Sequence, residues 1–349
     1  MMKKYLSIEL LRFLSSISVL LYHYRHFFFP LNFLSTENYE VEKITLPLFN
    51  YFKFLYEYGF YGVPIFYTIS GFVFAYIYLE VKKNTSLKEF SINRLARLYP
   101  LHFATLLFVA FFQIIFLNKH GNFQFDYLND FYHFVLQLFF ISSWGFQEGH
   151  SFNAPIWSVS IEIGVYIIFF NLIKYLKKFN IKFCLLICII LVLVDKLELF
   201  ETLFLECARL FFSGVLIYFI ASYKYKLKIF FFASIILLIL SFIGNFKIYL
   251  FCPALVIFFI SFENLISKLK YKSFFNLLGN LTYSLYLLHV PLQLMIIFLL
   301  KKYNFSLSIF NNYLFFLFYF FSLFLFSYLV FKFYEKPLNF KIRRYFLSN

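Results

Sequence analysis

The chain has 349 residues, of which 62% are hydrophobic and 14% charged, with a mean hydropathy of +0.77. That composition excludes an ordinary soluble domain and a disordered chain, since both need far more polar surface. The net charge of +15 would suggest a nucleic-acid partner in a soluble protein; basic residues flanking membrane helices account for it here, so no nucleic acid is expected.

Apolar runs read in windows of about 19 residues fall at 6–28, 59–79, 98–117, 155–173, 183–199, 203–221, 229–245, 246–262, 277–300 and 310–331. Lipid offers no partner to an unpaired peptide group, so runs of this kind must be helical. The expected fold is an all-α polytopic transmembrane bundle of ten spans, one membrane domain over residues 1–349 with no appended extracytoplasmic domain. A shorter apolar run at 131–143 decides the topology, because counting it as a span would reverse everything after it. With ten spans and the N-terminus inside, Lys3–Lys4, Lys82 to Arg97, Lys174 to Lys182, Lys224 to Lys228, Lys268 to Lys272 and Lys332 to Arg344 all face the cytoplasm. These hold most of the 32 Lys and Arg, as the positive-inside rule requires. Both termini are then cytoplasmic, and 131–143 is re-entrant or interfacial. The basic start resembles a signal peptide, but no small-residue cleavage site follows and Glu9 and Arg12 interrupt the run, so the first helix is expected to remain attached. Cys184, Cys188, Cys207 and Cys252 lie in apolar runs without metal-type or redox-type spacing and read as small core residues.

The first helix carries chemistry. His23 lies eleven residues beyond Arg12, which brings both within about 20° of one face and roughly 16 Å apart along the axis. Ionisable residues deep in a bilayer cost about 2.5–3.5 kcal/mol even on a lenient insertion scale, so they usually line a cavity. The competing reading has Arg12 snorkelling, paired with Glu9 at i, i+3, and His23 as an interfacial histidine. Further on, Arg94 and Arg97 open the third span on one face, where guanidinium forks suit phosphate; basic helix starts are also common membrane anchors. In the run Pro155-Ile156-Trp157-Ser158-Val159-Ser160-Ile161-Glu162, Glu162 sits at a depth matching His23 and is a candidate to orient its imidazole. Alternatively Glu162 pairs with Arg209, and Trp157 belongs to an aromatic belt. Two segments break the apolar pattern with small and polar residues, one around Ser70 and Gly71, the other around Tyr283, Tyr286 and His289. Close helix packing explains the first and the tyrosines as readily as a site does; His289 is harder to dismiss.

Taken in order, six pieces resemble the acyltransferase 3 family of integral membrane O-acyltransferases. They are Arg12-x10-His23, the Phe-x-Ile-Ser-Gly-Phe core ending at Phe72, the arginines before Tyr99-Pro100, Trp157-Ser158-x-x-x-Glu162, Ser284-x-Tyr286-x-x-His289-x-Pro291, and Tyr334-Glu335-Lys336-Pro337. Phe13 and Val159 depart from the family's usual glycine and leucine. The resemblance implies a bacterial cytoplasmic-membrane enzyme that takes an acyl group, with acetyl expected, from cytoplasmic acyl-CoA. It delivers the group to a hydroxyl of an envelope glycan or lipid-linked sugar outside, with glycan-assembly proteins as further partners. By residue, it implies His23 as acid/base or acyl relay, and Arg12, Arg94 and Arg97 holding the donor. Ser70, Trp157, Tyr283, His289 and Glu335 become candidate lining residues. Acyl-CoA, with acetyl-CoA expected, is a co-substrate; no bound cofactor and no metal are expected. Direct transfer and a covalent acyl-enzyme both remain open, and a glycan transporter or a sensory protein is the alternative class.

Overall fold

A computed structural model describes residues 5–28, 46–80, 85–125, 128–198, 202–222, 227–243 and 247–347. Lys3, Lys4, Lys82 and Lys224, which enter the charge argument, lie outside them. The described residues form helices and no strand: α1 (Leu6–Tyr24), α2 (Phe49–Tyr58), α3 (Gly62–Leu79), α4 (Leu87–His120), α5 (Phe131–Leu138), α6 (Ile156–Lys196), α7 (Thr202–Ser222), α8 (Leu227–Ile243), α9 (Lys247–Ser261), α10 (Glu263–Ile266), α11 (Lys272–Lys302), α12 (Tyr313–Val330) and α13 (Lys336–Leu347). A π-helical turn at Phe331–Glu335 joins the last two.

Six described segments are long and apolar enough to cross a membrane: Leu6–Phe27, Phe49–Leu79, Leu87–His120, Leu203–Ser222, Lys272–Lys302 and Tyr313–Leu347. The described parts of the runs at 229–245 and 246–262 fall on shorter apolar helices. Those at 155–173 and 183–199 are the two halves of α6, broken at Asn180, whose φ of 53° is left-handed, a conformation asparagine tolerates better than most residues. Outward faces are apolar, with Ile229, Phe232, Ile236, Phe242, Phe318 and Phe321 all exposed, as expected of a chain solvated by lipid rather than water.

The run at 131–143 contains only the eight residues of α5, roughly 12 Å of helix against a hydrocarbon core of about 30 Å. It does not reach across. Asp130 caps it: the His133 N–H donates to Asp130 Oδ1 at 2.9 Å, and that bond holds the Asp130 carboxyl below the usual carboxylate range. One face is fixed inward, where His102 Nε2 donates to the Gln137 carbonyl at 2.8 Å and Gln137 Nε2 donates to Ser151 Oγ at 3.1 Å. The other face leaves Phe131, Tyr132 and Phe139 exposed.

The helices divide into two compact units, the first comprising residues 1–15, 60–87 and 161–280 and the second 16–59, 88–160 and 281–349. In the first unit α3 and α7 cross at backbone contact. A Cβ on Gly71 would sit 1.8 Å from the Phe211 carbonyl oxygen, and one on Gly214 would sit 2.0 Å from that of Thr68. These glycines serve close packing, the plainer of the two sequence readings for this segment. Gly71→Ala and Gly214→Ala should each destabilise the protein by roughly 1–3 kcal/mol, the usual cost of overpacking. Thermal unfolding in detergent checks this, and an unchanged midpoint would contradict the close crossing. Alongside, Phe74 stacks on Tyr166 at 4.1 Å, and Cys184, Cys207 and Cys252 are buried.

Candidate functional site

In the first unit, Arg12 Nη1 lies 3.3 Å from Glu9 Oε2, the pair anticipated from their i, i+3 spacing. Gly279 makes room for that carboxylate, since a Cβ there would fall 1.7 Å from Glu9 Oε2. The Glu263 carboxylate accepts from the N–H and hydroxyl of Ser7, at 2.9 and 2.7 Å, and so caps the start of α1. Arg209 forms an ion pair with Asp195 and lies 3.5 Å over the Tyr249 ring. The alternative partner offered above for Glu162 is therefore engaged with Asp195. Glu162 is half-buried in this unit and acts electrostatically on Cys207; Ser70 is half-buried here too.

His23 belongs to the second unit, and that unit is built around it. As α1 ends at Tyr24, the His23 carbonyl loses its helical partner; Gln293 Nε2 supplies a donor at 2.9 Å. The Tyr24 hydroxyl donates to the Phe310 carbonyl at 2.9 Å, so the end of α1 is held on both sides. A third support comes from Pro291 inside α11. Proline lacks the N–H that would reach back four residues, which releases the Leu287 carbonyl, and Asn153 Nδ2 donates to it at 3.1 Å. Asn153, Gln293 and Leu287 are fully buried.

These supports set up a chain of imidazoles. His289 Nδ1 lies 2.7 Å from the Tyr286 carbonyl, and a carbonyl can only accept, so Nδ1 carries the proton. In neutral imidazole the other nitrogen is then an acceptor. His289 Nε2 lies 2.8 Å from His23 Nδ1, which must donate. By this hydrogen-bond logic His23 Nε2 holds a lone pair, the atom a general base needs. The two rings are nearly coplanar, at 16° with centroids 5.0 Å apart, as an in-plane N–H···N bond demands. Sequence reasoning had offered Glu162 as the group that orients His23; at Nδ1 that position is taken by His289, an imidazole 266 residues away.

Further rings surround the pair. His26 lies against His23, with centroids 4.7 Å apart and 20° between planes, and His150 acts electrostatically on both His23 and His26. His150 lies on the segment between α5 and α6, where burial pushes its imidazole below the ordinary histidine value. Its ring faces Trp157 at 6.1 Å, so Trp157 borders the cluster. The Tyr286 hydroxyl meets Ser158 Oγ at 2.8 Å and donates to the Pro155 carbonyl at 3.0 Å. Among the described residues no three or more His, Cys, Asp or Glu side chains are placed to hold a metal ion.

Elsewhere in the second unit, Tyr283 donates to the Leu98 carbonyl at 2.7 Å and Tyr334 to the Pro100 carbonyl at 3.1 Å. Glu335, buried by the π-helical turn, accepts from Ser284 Oγ at 2.6 Å. These contacts lay α13 along the start of α4, and there Arg343 Nη2 donates to the Asn93 carbonyl at 3.4 Å, beside Arg94 and one turn from Arg97. The structure thus gathers His23, His289, Trp157, Tyr283, Glu335, Arg94 and Arg97 into one unit. Arg12, Ser70 and Glu162 belong to the other. Sequence reasoning missed Arg25, His26, His150, Gln293 and Arg343. Only Arg25 and His26 carried a signal, as polar residues that follow His23 after the single residue Tyr24, at the end of an apolar run.

Apolar helices of membrane-spanning length define a multi-pass membrane protein, and its second unit holds the hydrogen-bonded His23–His289 pair. Residues 5–332 match the family described as an acyltransferase domain, the acyltransferase 3 family, and the chain belongs to it. It is a membrane acyltransferase. Comparison with curated proteins and with solved structures gives no match.

Proposed function

We propose that the protein transfers an acyl group, acetyl in the first instance, from acyl-CoA to a hydroxyl of an envelope glycan or lipid-linked sugar at the bacterial cytoplasmic membrane. The observation that carries this reading is the Tyr286 carbonyl–His289–His23 chain, which leaves His23 Nε2 unprotonated. In the reaction, His23 Nε2 takes the proton of the acceptor hydroxyl as its oxygen attacks the thioester carbon. The resulting tetrahedral centre collapses, the C–S bond breaks, and the CoA thiolate leaves and receives the proton from His23. A direct displacement needs no nucleophile from the protein, and it is the route taken in this scheme; the same Nε2 lone pair could also form an acyl-histidine, which trapping of labelled protein would detect.

On the charge distribution, the ends of α4 and α13 that carry Arg94, Arg97 and Arg343 face the cytoplasm, where CoA is found. We assign the CoA phosphates to these guanidinium groups. Arg94→Ala, Arg97→Ala and Arg343→Ala should each raise KM for acyl-CoA about tenfold, the loss of one charge-assisted hydrogen bond. The same variants should use acyl-pantetheine, which lacks the phosphates, as well as the wild type does. An equal loss with both donors would contradict phosphate recognition at these residues.

The proposal as a whole is tested by supplying the purified protein with radiolabelled acetyl-CoA and extracted envelope glycans. Label in the glycan and free CoA thiol are expected together. Glycan movement across proteoliposomes without either would support the transporter alternative instead.

A further inference from the structure

The transfer scheme leaves one imidazole of the cluster unused. His150 is exposed and makes no hydrogen bond among the described residues, yet the chain on either side of it is tied down. The Tyr132 hydroxyl donates to the Phe146 carbonyl and Trp144 Nε1 to the Ser160 carbonyl, both at 2.8 Å. Gln137 Nε2 donates to the Ser151 carbonyl, and the Phe152 N–H donates to Asn129 Oδ1 at 2.5 Å. Phe152 itself is left-handed, with a φ of 44°, which a bulky residue adopts only at a cost.

Fixing these residues also costs conformational entropy. What the fixed segment presents is an unengaged imidazole beside the proposed base. His150 acts electrostatically on His23 and His26, and its ring centroid lies 6.1 Å from that of Trp157, at 44° between planes. His23, His26 and Trp157 each keep part of their surface exposed, so the cluster is open to a ligand. An interfacial aromatic belt accounts for an indole here; it does not account for an imidazole held beside it on a tied segment. Imidazole can give an N–H to one hydroxyl and take an O–H at its other nitrogen, while an indole offers an apolar face. A sugar ring carries both matching parts, hydroxyls at its rim and C–H bonds on its faces. On the charge distribution this segment lies on the outer side, opposite the arginines assigned to CoA.

We infer that His150 and Trp157 form the subsite for the acceptor. The indole takes the apolar face of a sugar ring, and the His150 imidazole hydrogen-bonds a hydroxyl other than the one His23 deprotonates. The inference rests on the acyl-CoA reading above and specifies its acceptor as a sugar ring with at least two free hydroxyls. Both residues bind rather than react: no bond forms or breaks at either, and the proton and the C–S electron pair move as already described.

Titrating extracted envelope glycan and acetyl-CoA separately distinguishes this role from a structural one. His150→Leu should raise the apparent KM for glycan by about three- to tenfold, the loss of one neutral hydrogen bond. Trp157→Leu should raise it about tenfold through loss of the aromatic face. Neither should change KM for acetyl-CoA, and kcat at saturating glycan should stay within about twofold of the wild type, since binding that is equal in ground and transition states leaves kcat alone. His150→Asn, whose amide both donates and accepts, and Trp157→Phe, which keeps a ring, should each recover part of the glycan affinity. An unchanged glycan KM in either leucine variant would overturn the subsite. A rise in both KM values together, or a fall in kcat with glycan KM unchanged, would make the residue structural and overturn it as well. A wild-type protein that transfers no acetyl group to the glycan would instead sink the acyl-transfer reading, a failure visible before any variant is made.

Discussion

His23→Ala should reduce acyl transfer by about 10²–10⁴-fold, the range that a positioned general base contributes, while leaving acyl-CoA binding intact. The separation is expected because His23 joins the rest of the unit through two different groups. Its carbonyl receives the Gln293 amide, and this backbone contact survives the substitution; its ring meets His289 and His26, and that contact does not. The neighbouring Tyr24 hydroxyl still donates to Phe310, so α1 should end where it does in the wild type. Stopped-flow detection of CoA thiol reads the rate, and equilibrium binding of a non-hydrolysable acyl-CoA analogue reads the donor site. Equal loss of both would make His23 a structural histidine.

His289 should show a subtler pattern. It touches no substrate in the scheme; it fixes which nitrogen of His23 is protonated, and an imidazole in the wrong tautomer presents N–H where a base needs a lone pair. Loss of a tautomer-fixing partner has cost as much as about 10⁴-fold in serine proteases. Because free imidazole populates both tautomers, His289→Phe is expected to cost about 10²-fold here, in kcat rather than KM. Phenylalanine fills much of the space but accepts nothing from His23 Nδ1. His289→Gln, whose carbonyl oxygen can accept that N–H, should recover part of the rate. A packing role alone would predict the reverse order, with the apolar ring better tolerated in its fully buried surroundings. Comparing the kcat of the two variants decides between them.

The helical architecture was legible because it follows from local physics. Runs of apolar residues have no other way to satisfy their peptide groups in lipid, and helices account for nearly all described residues of the ten runs. Charge argued against counting 131–143 as a span, and the helix there, α5, is only eight residues long. His23 and His289 could be picked out because a histidine within an apolar run is costly wherever it points. Their bond to each other was not legible, since it joins positions 266 apart, and sequence depth offered Glu162 as the partner of His23. Arg209 illustrates the same limit: its ion pair with Asp195 follows from how chain segments around α6 and α7 meet. The Pro291 vacancy was readable as a broken hydrogen bond, yet only the fold could say that Asn153 fills it. Arg343 lay beyond reach because a basic residue near a chain end reads as an anchor; the Asn93 contact sets it beside Arg94.

The central claim, that this membrane acyltransferase uses His23 to move an acyl group from CoA to a sugar hydroxyl, is tested most directly by one paired measurement. Wild type and His23→Ala, each purified into nanodiscs, are given radiolabelled acetyl-CoA and envelope glycans, and ester-linked label on the glycan is followed over time. The wild type should accumulate label in step with CoA thiol, and the variant should accumulate essentially none while still binding acetyl-CoA. Equal labelling by the two proteins, or none by the wild type, would contradict the account.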